Sequence, residues 1–124
     1  MLKRLFSYRG LNKIGIRGFS MTEAEFLRMW RDFSFQLTEH FDNEFNDEDL
    51  FDDIEELDEL VKIVTNDGKV FIINRQVPNR EIWYSSPLSG PSHFRLDTEV
   101  NKWLNKENKE FYDVFNTDMQ RIKN

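Results

Sequence analysis

The stretch of residues 74–91 places the tightest constraint on what this chain can fold into. It contains all three prolines of the chain, and Pro78-Asn79 marks a turn between two runs rich in β-branched and aromatic residues. Ser86-Pro87 and Gly90-Pro91 end the second run, because proline cannot donate to a strand ladder and glycine favours turns. The stretch therefore predicts a β-hairpin followed by a second turn.

A strand register follows from the first turn. If Gln76 pairs with Glu81 across a four-residue loop, Asn74 lies opposite Trp83, and all four side chains point to one sheet face. The opposite face receives four apolar residues, namely Phe71, Ile73, Ile82 and Tyr84. We therefore expect an exposed indole between carboxamides on one face of the sheet and an apolar core on the other face.

Two amphipathic helices are predicted at the ends of the folded part. Thr22 and Glu25 fit a capping box at the start of the first helix. Apolar residues then recur at helical spacing and form one stripe. The first stripe consists of Phe26, Trp30, Phe33, Leu37 and Phe41, and the second of Phe111, Phe115, Met119 and Ile122.

Strands are predicted between the helices at residues 52–56, 61–65, 69–76 and 81–86, with two further short strands at 93–96 and 101–105. Leu50, Ile54, Leu57 and Val61 also have helical spacing, but this segment is short and leads directly into β-branched residues, which favours a strand. The expected fold class is α/β (α+β), a two-layer sandwich with both helices on one face of an antiparallel sheet. The other face of the sheet then meets water.

Charge divides the chain into two parts. Residues 1–22 hold five basic side chains and no acid, whereas the remainder holds 12 basic and 23 acidic side chains. An acid-free basic front resembles an organellar presequence, so we predict a targeting segment at residues 1–20 and one folded domain at 21–124. A basic tail without a targeting role is the alternative.

Several function classes are excluded or disfavoured by composition. The chain has no cysteine, which excludes a disulfide, a thiolate nucleophile and a thiolate-held cluster. No apolar run approaches the ~20 residues that span a bilayer, so no membrane partner is expected. The acidic body repels phosphate, which disfavours a nucleic-acid partner.

Residues 32–61 carry 13 acids and no Lys or Arg. Carboxylate oxygens are hard ligands that suit Mg²⁺, Ca²⁺, Mn²⁺ and ferrous iron, and ferrous iron lies near the bottom of the divalent affinity series. Such a stretch is expected to bind cations loosely, and a solvated charged face is the alternative. An EF-hand beginning at Asp47 fails, because the loop glycine would fall at Asp52.

The sequence resembles the frataxin family in the run Asn74-x-Gln76-x-Pro78-Asn79-x-x-Ile82-Trp83-x-Ser85-Ser86-Pro87-x-Ser89-Gly90-Pro91. The resemblance extends more loosely over residues 20–122. It implies a monomer of the mitochondrial matrix, or of a mitochondrion-derived organelle, that binds ferrous or ferric iron weakly. It also implies docking on the cysteine desulfurase and scaffold complex that builds iron–sulfur clusters, and faster sulfur transfer there. Ferroxidase activity and iron storage by oligomerisation are the alternatives.

The resemblance also assigns site residues. The partner-binding set comprises Asn74, Gln76, Asn79 and Trp83, to which we add His93 and Ser86, although Ser86 also suits a cap at the strand end. The metal set, which we call the acidic ridge, comprises Glu39, Asp42, Asp49, Asp52 and Asp53, with Asp47 added from the same stretch. No catalytic residue is assigned.

The chain departs from the family pattern after Gly90-Pro91. The family has a basic residue, an aromatic, an acid and a tryptophan there, whereas this chain has Ser92-His93-Phe94-Arg95-Leu96. The basic contact near His93 is therefore expected to be weaker or pH-dependent. Leu96 is expected to take the packing position of that tryptophan. In a second departure, Asp58-Glu59 stands where the family has a glycine between the first two strands.

Overall fold

A computed structural model describes residues 21–124, and the targeting segment predicted at residues 1–20 lies outside them. Helix α1 spans Glu23–Glu44 and helix α2 spans Phe111–Lys123. The strands between them are β1 (Phe51–Glu56), β2 (Leu60–Thr65), β3 (Val70–Gln76), β4 (Glu81–Ser86), β5 (Gly90–Asp97) and β6 (Lys102–Leu104). Each strand pairs antiparallel with the next in chain order. The predicted sandwich is thus confirmed.

Helix α1 begins with the predicted capping box. The backbone N–H of Glu25 donates to Thr22 Oγ1 at 3.1 Å, and the backbone N–H of Thr22 donates to Glu25 Oε1 at 2.8 Å. That backbone hydrogen bond is the main reason why the pKa of Glu25 lies below its ordinary value. Every residue of the predicted stripe on this helix is buried. Neither helix of the described part combines the length and apolarity that a bilayer crossing requires.

Both helices pack on the same face of the sheet. The ring centroids of Phe41 on α1 and Phe51 on β1 are 4.9 Å apart, and those of Phe111 on α2 and Tyr84 on β4 are 5.5 Å apart. The two helices also meet each other, because Phe33 and Phe111 pack edge to face at 4.9 Å. The apolar stripes predicted from the sequence therefore form one shared core between the two layers.

His40 lies where the two helices meet. Its Nε2 is 2.7 Å from Asn116 Oδ1, which is a hydrogen-bond distance. The imidazole also packs edge to face against Tyr112, with centroids 5.0 Å apart. His40 therefore joins the helices to each other and belongs to the boundary of the core.

Leu96 takes a core position, as expected, and Trp103 lies directly across from it in the β5–β6 register. The indole of Trp103 is buried and contacts two rings of α1, with centroids 6.3 Å from Phe26 and 5.8 Å from Phe33. Leu96 is smaller than the tryptophan of the family pattern, and Trp103 from the next strand fills the space beneath α1.

Strand β1 contains a bulge that decides which way its acids point. Phe51 pairs with Thr65 and Asp53 pairs with Val64, so Asp52 is the extra residue. Because side chains alternate along a strand, Phe51 and Ile54 would otherwise face opposite sides of the sheet, and the bulge allows both to pack on the core. Asp53 is thereby directed to the sheet face opposite the two helices, which we call the open face.

The turn between β1 and β2 closes without the family's glycine. The backbone N–H of Leu57 donates to the carbonyl of Leu60 at 2.8 Å. The buried indole of Trp30 donates from Nε1 to the carbonyl of Asp58 at 2.7 Å. Helix α1 thus supplies a hydrogen bond that fixes this turn, and the turn needs no glycine.

A buried carboxylate ties α2 to the sheet. Asp118 is 1% exposed, and its Oδ2 accepts hydrogen bonds from the hydroxyl of Tyr84 at 2.6 Å and from that of Ser89 at 2.7 Å. Burial, and then the neighbouring charge and hydrogen bond of Asp118, raise the pKa of Tyr84 above its ordinary value.

Replacing Tyr84 with phenylalanine is expected to lower the free energy of unfolding by about 1–3 kcal/mol, because a buried carboxylate loses a donor. The raised pKa adds a pH signature: the contribution of the neutral phenol is complete below the ordinary tyrosine pKa of about 10 and is lost as pH rises towards the folded-state pKa. Urea denaturation from pH 7 to 11 should show a shallower alkaline decline for Tyr84→Phe than for the wild type. Parallel declines would contradict this account.

Candidate partner-binding surface

The open face of the sheet carries the hairpin residues in the predicted register. Asn74 on β3 is paired with Trp83 on β4, and Gln76 is paired with Glu81. On the other side of β4, Trp83 is paired with His93 on β5. The four apolar residues assigned to the opposite face are all buried, which confirms the predicted division; they are Phe71, Ile73, Ile82 and Tyr84.

Trp83 stands on the open face, but it is half-buried and not fully exposed as expected from the sequence. The reason is His93, whose imidazole stacks on the indole with centroids 4.2 Å apart and ring planes 7° apart. The side chain of His93 is itself 51% exposed. The two rings therefore form one stacked pair at the surface, away from both helices.

The carboxylate of Glu81 links Trp83, His93 and Arg95 into one cluster on the open face. Its Oε1 accepts a hydrogen bond from Nε1 of Trp83 at 2.8 Å, and its Oε2 accepts one from Nε of Arg95 at 2.9 Å. Nδ1 of His93 lies 3.9 Å from the first of these oxygens. Only 13% of the Glu81 side chain is exposed. Sequence reasoning assigned no role to Glu81 or Arg95, although the spacing of Glu81 and Trp83 already placed both on one face.

Two carboxamides next to this cluster are available for contacts. Within residues 21–124, the side chains of Gln76 and Asn79 form no hydrogen bond, and Asn79 is exposed in the β3–β4 turn. The turn is held by Arg80, whose Nε donates to the carbonyl of Met21 at 3.1 Å and whose φ of 54° lies in the left-handed region. Asn79 thus lies on a turn that is fixed to the residue before the α1 cap, and Gln76 ends the strand that leads into this turn.

Ser86 does not lie on the open face with the other residues of the partner-binding set. It is 7% exposed on the face that the helices cover, because it lies two and four residues after the core residues Tyr84 and Ile82. Its Oγ accepts from the backbone N–H groups of Leu88 and Ser89, both at 3.0 Å. Its role is the cap at the strand end.

The six residues of the acidic ridge are all exposed, and they lie on three successive parts of the chain. Helix α1 carries Glu39 and Asp42, the following loop carries Asp47 and Asp49, and β1 carries Asp52 and Asp53. Two of them already accept hydrogen bonds: Asp42 from the amide of Asn46 at 3.0 Å and Asp47 from the backbone N–H of Asp49 at 2.9 Å. In residues 21–124, no three acidic or histidine side chains converge on a point that could hold a metal ion.

The end of α1 concentrates negative charge in an unfavourable place. Its last turn contains no basic residue, and Asp42 and Glu44 stand near the negative end of the helix dipole. Carboxylates in such a position repel each other and the helix terminus, and cations relieve that repulsion. The ridge is therefore suited to attract cations or basic surfaces without fixing them in one geometry.

Comparison with known proteins places these features in context. The model of the frataxin-like domain family matches residues 19–124. The iron–sulfur cluster assembly protein CyaY of Neisseria meningitidis is 34% identical over 97 residues, which cover 77% of this chain and 84% of that protein. The mitochondrial frataxin of Dictyostelium discoideum is 32% identical over 71 residues, or 56% of this chain. This match spans only 37% of the Dictyostelium protein.

Solved structures show the same arrangement of helices and strands. Frataxin from Psychromonas ingrahamii superposes with a TM-score of 0.70 at 20% identity, covering 82% of this chain and 90% of that one. The trimeric frataxin of Saccharomyces cerevisiae, complexed with ferrous iron according to its description, superposes with a TM-score of 0.61 at 25% identity. It covers 79% of this chain and 85% of the yeast chain. The similarity to the Psychromonas protein, at 20% identity, establishes only the fold.

Proposed function

This chain belongs to the frataxin-like family, and on that premise we propose that it serves iron–sulfur cluster assembly by docking on the cysteine desulfurase–scaffold complex and activating it. The CyaY relative is named for iron–sulfur cluster assembly, which supports the pathway. The acid-free basic front and the relatives named as mitochondrial support a location in the mitochondrial matrix or a mitochondrion-derived organelle.

The observation that carries the docking role is the stacked pair of Trp83 and His93 on the sheet face opposite α1 and α2. Tryptophan is enriched among the residues that dominate binding energy at protein interfaces, and its surroundings there exclude water. Gln76 is paired with Glu81 on the same face, and Asn79 is exposed in the turn that follows β3. Within residues 21–124 neither carboxamide forms a hydrogen bond, so both can offer donors and acceptors to a partner. A flat aromatic centre with a polar rim is the usual anatomy of such an interface.

A pull-down from organelle extract tests this proposal directly. The immobilised wild-type protein is expected to capture the desulfurase and the scaffold, and Trp83→Ala is expected to lose both. Phe35→Ala is the matched control, because Phe35 is a large aromatic that is 58% exposed on α1, far from the open sheet face. Equal capture by wild type and Trp83→Ala would count decisively against docking through this face.

We further propose that the acidic ridge binds ferrous iron loosely as cargo. Its carboxylates are hard ligands, they are exposed, and the yeast relative is described as complexed with ferrous iron. Because the ridge residues lie on three different parts of the chain without a convergent set in residues 21–124, the expected binding is weak and poorly selective. The alternative of ferroxidase activity stays a prediction.

Changing Asp49, Asp52 and Asp53 together to Asn is expected to weaken ferrous iron binding by roughly tenfold or more, equivalent to about 1.4 kcal/mol spread over three charges. Anaerobic calorimetric titration measures the affinity, and Mg²⁺ or Mn²⁺ should compete. Asp113→Asn combined with Glu107→Gln is the control, since both acids are exposed outside the ridge. Tight, selective binding or an unaffected triple variant would contradict the proposal. Iron-dependent oxygen uptake that the triple variant loses would instead favour ferroxidase activity.

A further inference from the structure

We propose that Glu81 is the positioning residue of the partner-binding surface, and that it uses up the indole N–H of Trp83 so that a partner meets the ring surface. This inference rests on the proposed docking function and adds to it how the surface is built. Glu81 is not among the site residues expected from the sequence. Its carboxylate nonetheless accepts the hydrogen bonds of both Trp83 and Arg95.

Both oxygens of the Glu81 carboxylate are engaged within the cluster. Each oxygen of Glu81 accepts one hydrogen bond, from Trp83 Nε1 at 2.8 Å and from Arg95 Nε at 2.9 Å. Because the side chain is only 13% exposed, water competes poorly for these oxygens, and hydrogen bonds to a charged acceptor are strong in such surroundings. The indole is thereby fixed before any partner arrives.

The register of the sheet makes this contact possible. Glu81 and Trp83 are two residues apart on β4, so both side chains stand on the same face. Ile82 is paired with Phe94, which places Arg95 across from Glu81 and His93 across from Trp83. Two neighbouring cross-strand pairs, one ionic and one aromatic, therefore support each other through the single carboxylate of Glu81.

The ring surface is left for a partner to contact. The indole N–H is committed to Glu81, and His93 covers one face of the ring. The negative charge of Glu81 is offset by Arg95, so the centre of the surface presents aromatic rings without an uncompensated acid. Preorganisation of this kind lowers the conformational entropy that is lost on association and mostly slows dissociation.

The test compares Glu81→Ala and Glu81→Gln in two measurements. In the free protein, hydrogen exchange of the Trp83 indole N–H is followed by NMR, with the signal assigned by its loss in Trp83→Phe. We expect Glu81→Ala to accelerate this exchange roughly tenfold or more and to weaken binding of the purified desulfurase–scaffold complex by a similar factor. Glu81→Gln keeps one acceptor oxygen for the indole but loses the charge and the second acceptor, so it is expected to fall between the wild type and Glu81→Ala in both measurements.

Glu55→Ala is the matched control, because it also removes one negative charge from the open face. Glu55 lies on β1, where it is paired with Lys62 on β2, away from the Trp83 cluster. It should leave both measurements unchanged. The inference is overturned if Glu81→Ala leaves either the indole exchange or the partner affinity at the wild-type value, or if Glu81→Gln is as impaired as Glu81→Ala. Should Trp83→Ala itself bind the complex normally, the docking function fails instead, and the indole exchange measurement still judges the contact with Glu81.

Discussion

Trp83→Ala is expected to abolish the stimulation of sulfide production by the desulfurase–scaffold complex while the domain remains folded. Truncating a tryptophan at the centre of an interface costs roughly 2 kcal/mol or more, which weakens binding about 30-fold. The indole lies on the sheet face opposite the helices and is not part of the buried core, so its loss opens no cavity beneath α1 or α2. The binding energy and the folding energy of this chain therefore depend on different sides of one sheet.

The rate of sulfide production by the reconstituted complex measures this effect, at a concentration of the chain that half-saturates the wild-type response. Phe35→Ala should stimulate the complex as the wild type does, because it removes an exposed aromatic from the helical layer. Thermal unfolding monitored by circular dichroism should give nearly the same Tm for all three proteins. A folded Trp83→Ala protein that still stimulates the complex would refute activation through this face.

The sequence allowed the hairpin and the helix stripes to be predicted because local chemistry determines them. Pro78-Asn79 fixes the turn, and alternation along β3 and β4 then pairs Asn74 with Trp83. The same alternation would also have placed Ser86 correctly. Ser86 lies four residues after the core residue Ile82, so alternation along β4 directs it to the core face, where it is buried.

The contacts of Glu81 could not be predicted from the sequence because they depend on a third strand. Trp83 meets His93 only because the turn at residues 87–89 is tight and Gly90 adopts a φ of 84°, which starts β5 three residues earlier than the predicted strand. The bulge at Asp52 could not be predicted for a related reason. An extra residue in a strand can be recognised only once it is known that Phe51 and Ile54 face the same side of the sheet.

The ridge illustrates the limit of composition as a guide to metal sites. Thirteen acids in 30 residues indicate where cations accumulate, but a coordination site needs side chains that converge. The acidic ridge spans a helix, a loop and a strand, which carry Glu39, Asp47 and Asp53 respectively. Asp47 is also engaged by the backbone of its own loop. Attraction of cations follows from the charge, and specificity for iron does not.

Phe111→Ala is expected to lower the free energy of unfolding by about 3–5 kcal/mol, a large part of the 5–15 kcal/mol typical of a domain of this size. Phe111 is fully buried, and its ring packs against Phe33 of α1, Tyr84 of β4 and Phe94 of β5 at centroid distances of 4.9, 5.5 and 5.4 Å. Both helices and the sheet therefore meet at Phe111. Its removal leaves a cavity that none of these elements can close alone.

The start of α2 makes this position especially sensitive. Glu110 stands at the N-cap but forms no side-chain capping bond, so the first turn depends on the packing of Phe111 rather than on a cap. Urea denaturation followed by circular dichroism measures the loss, and Phe35→Ala, an exposed phenylalanine on the other helix, should change stability by less than about 0.5 kcal/mol. Similar losses in the two variants would show that burial between the layers does not govern stability here. A Phe111→Ala protein that stays folded should keep its stacked Trp83 and His93 pair, since that pair belongs to the opposite face of the sheet.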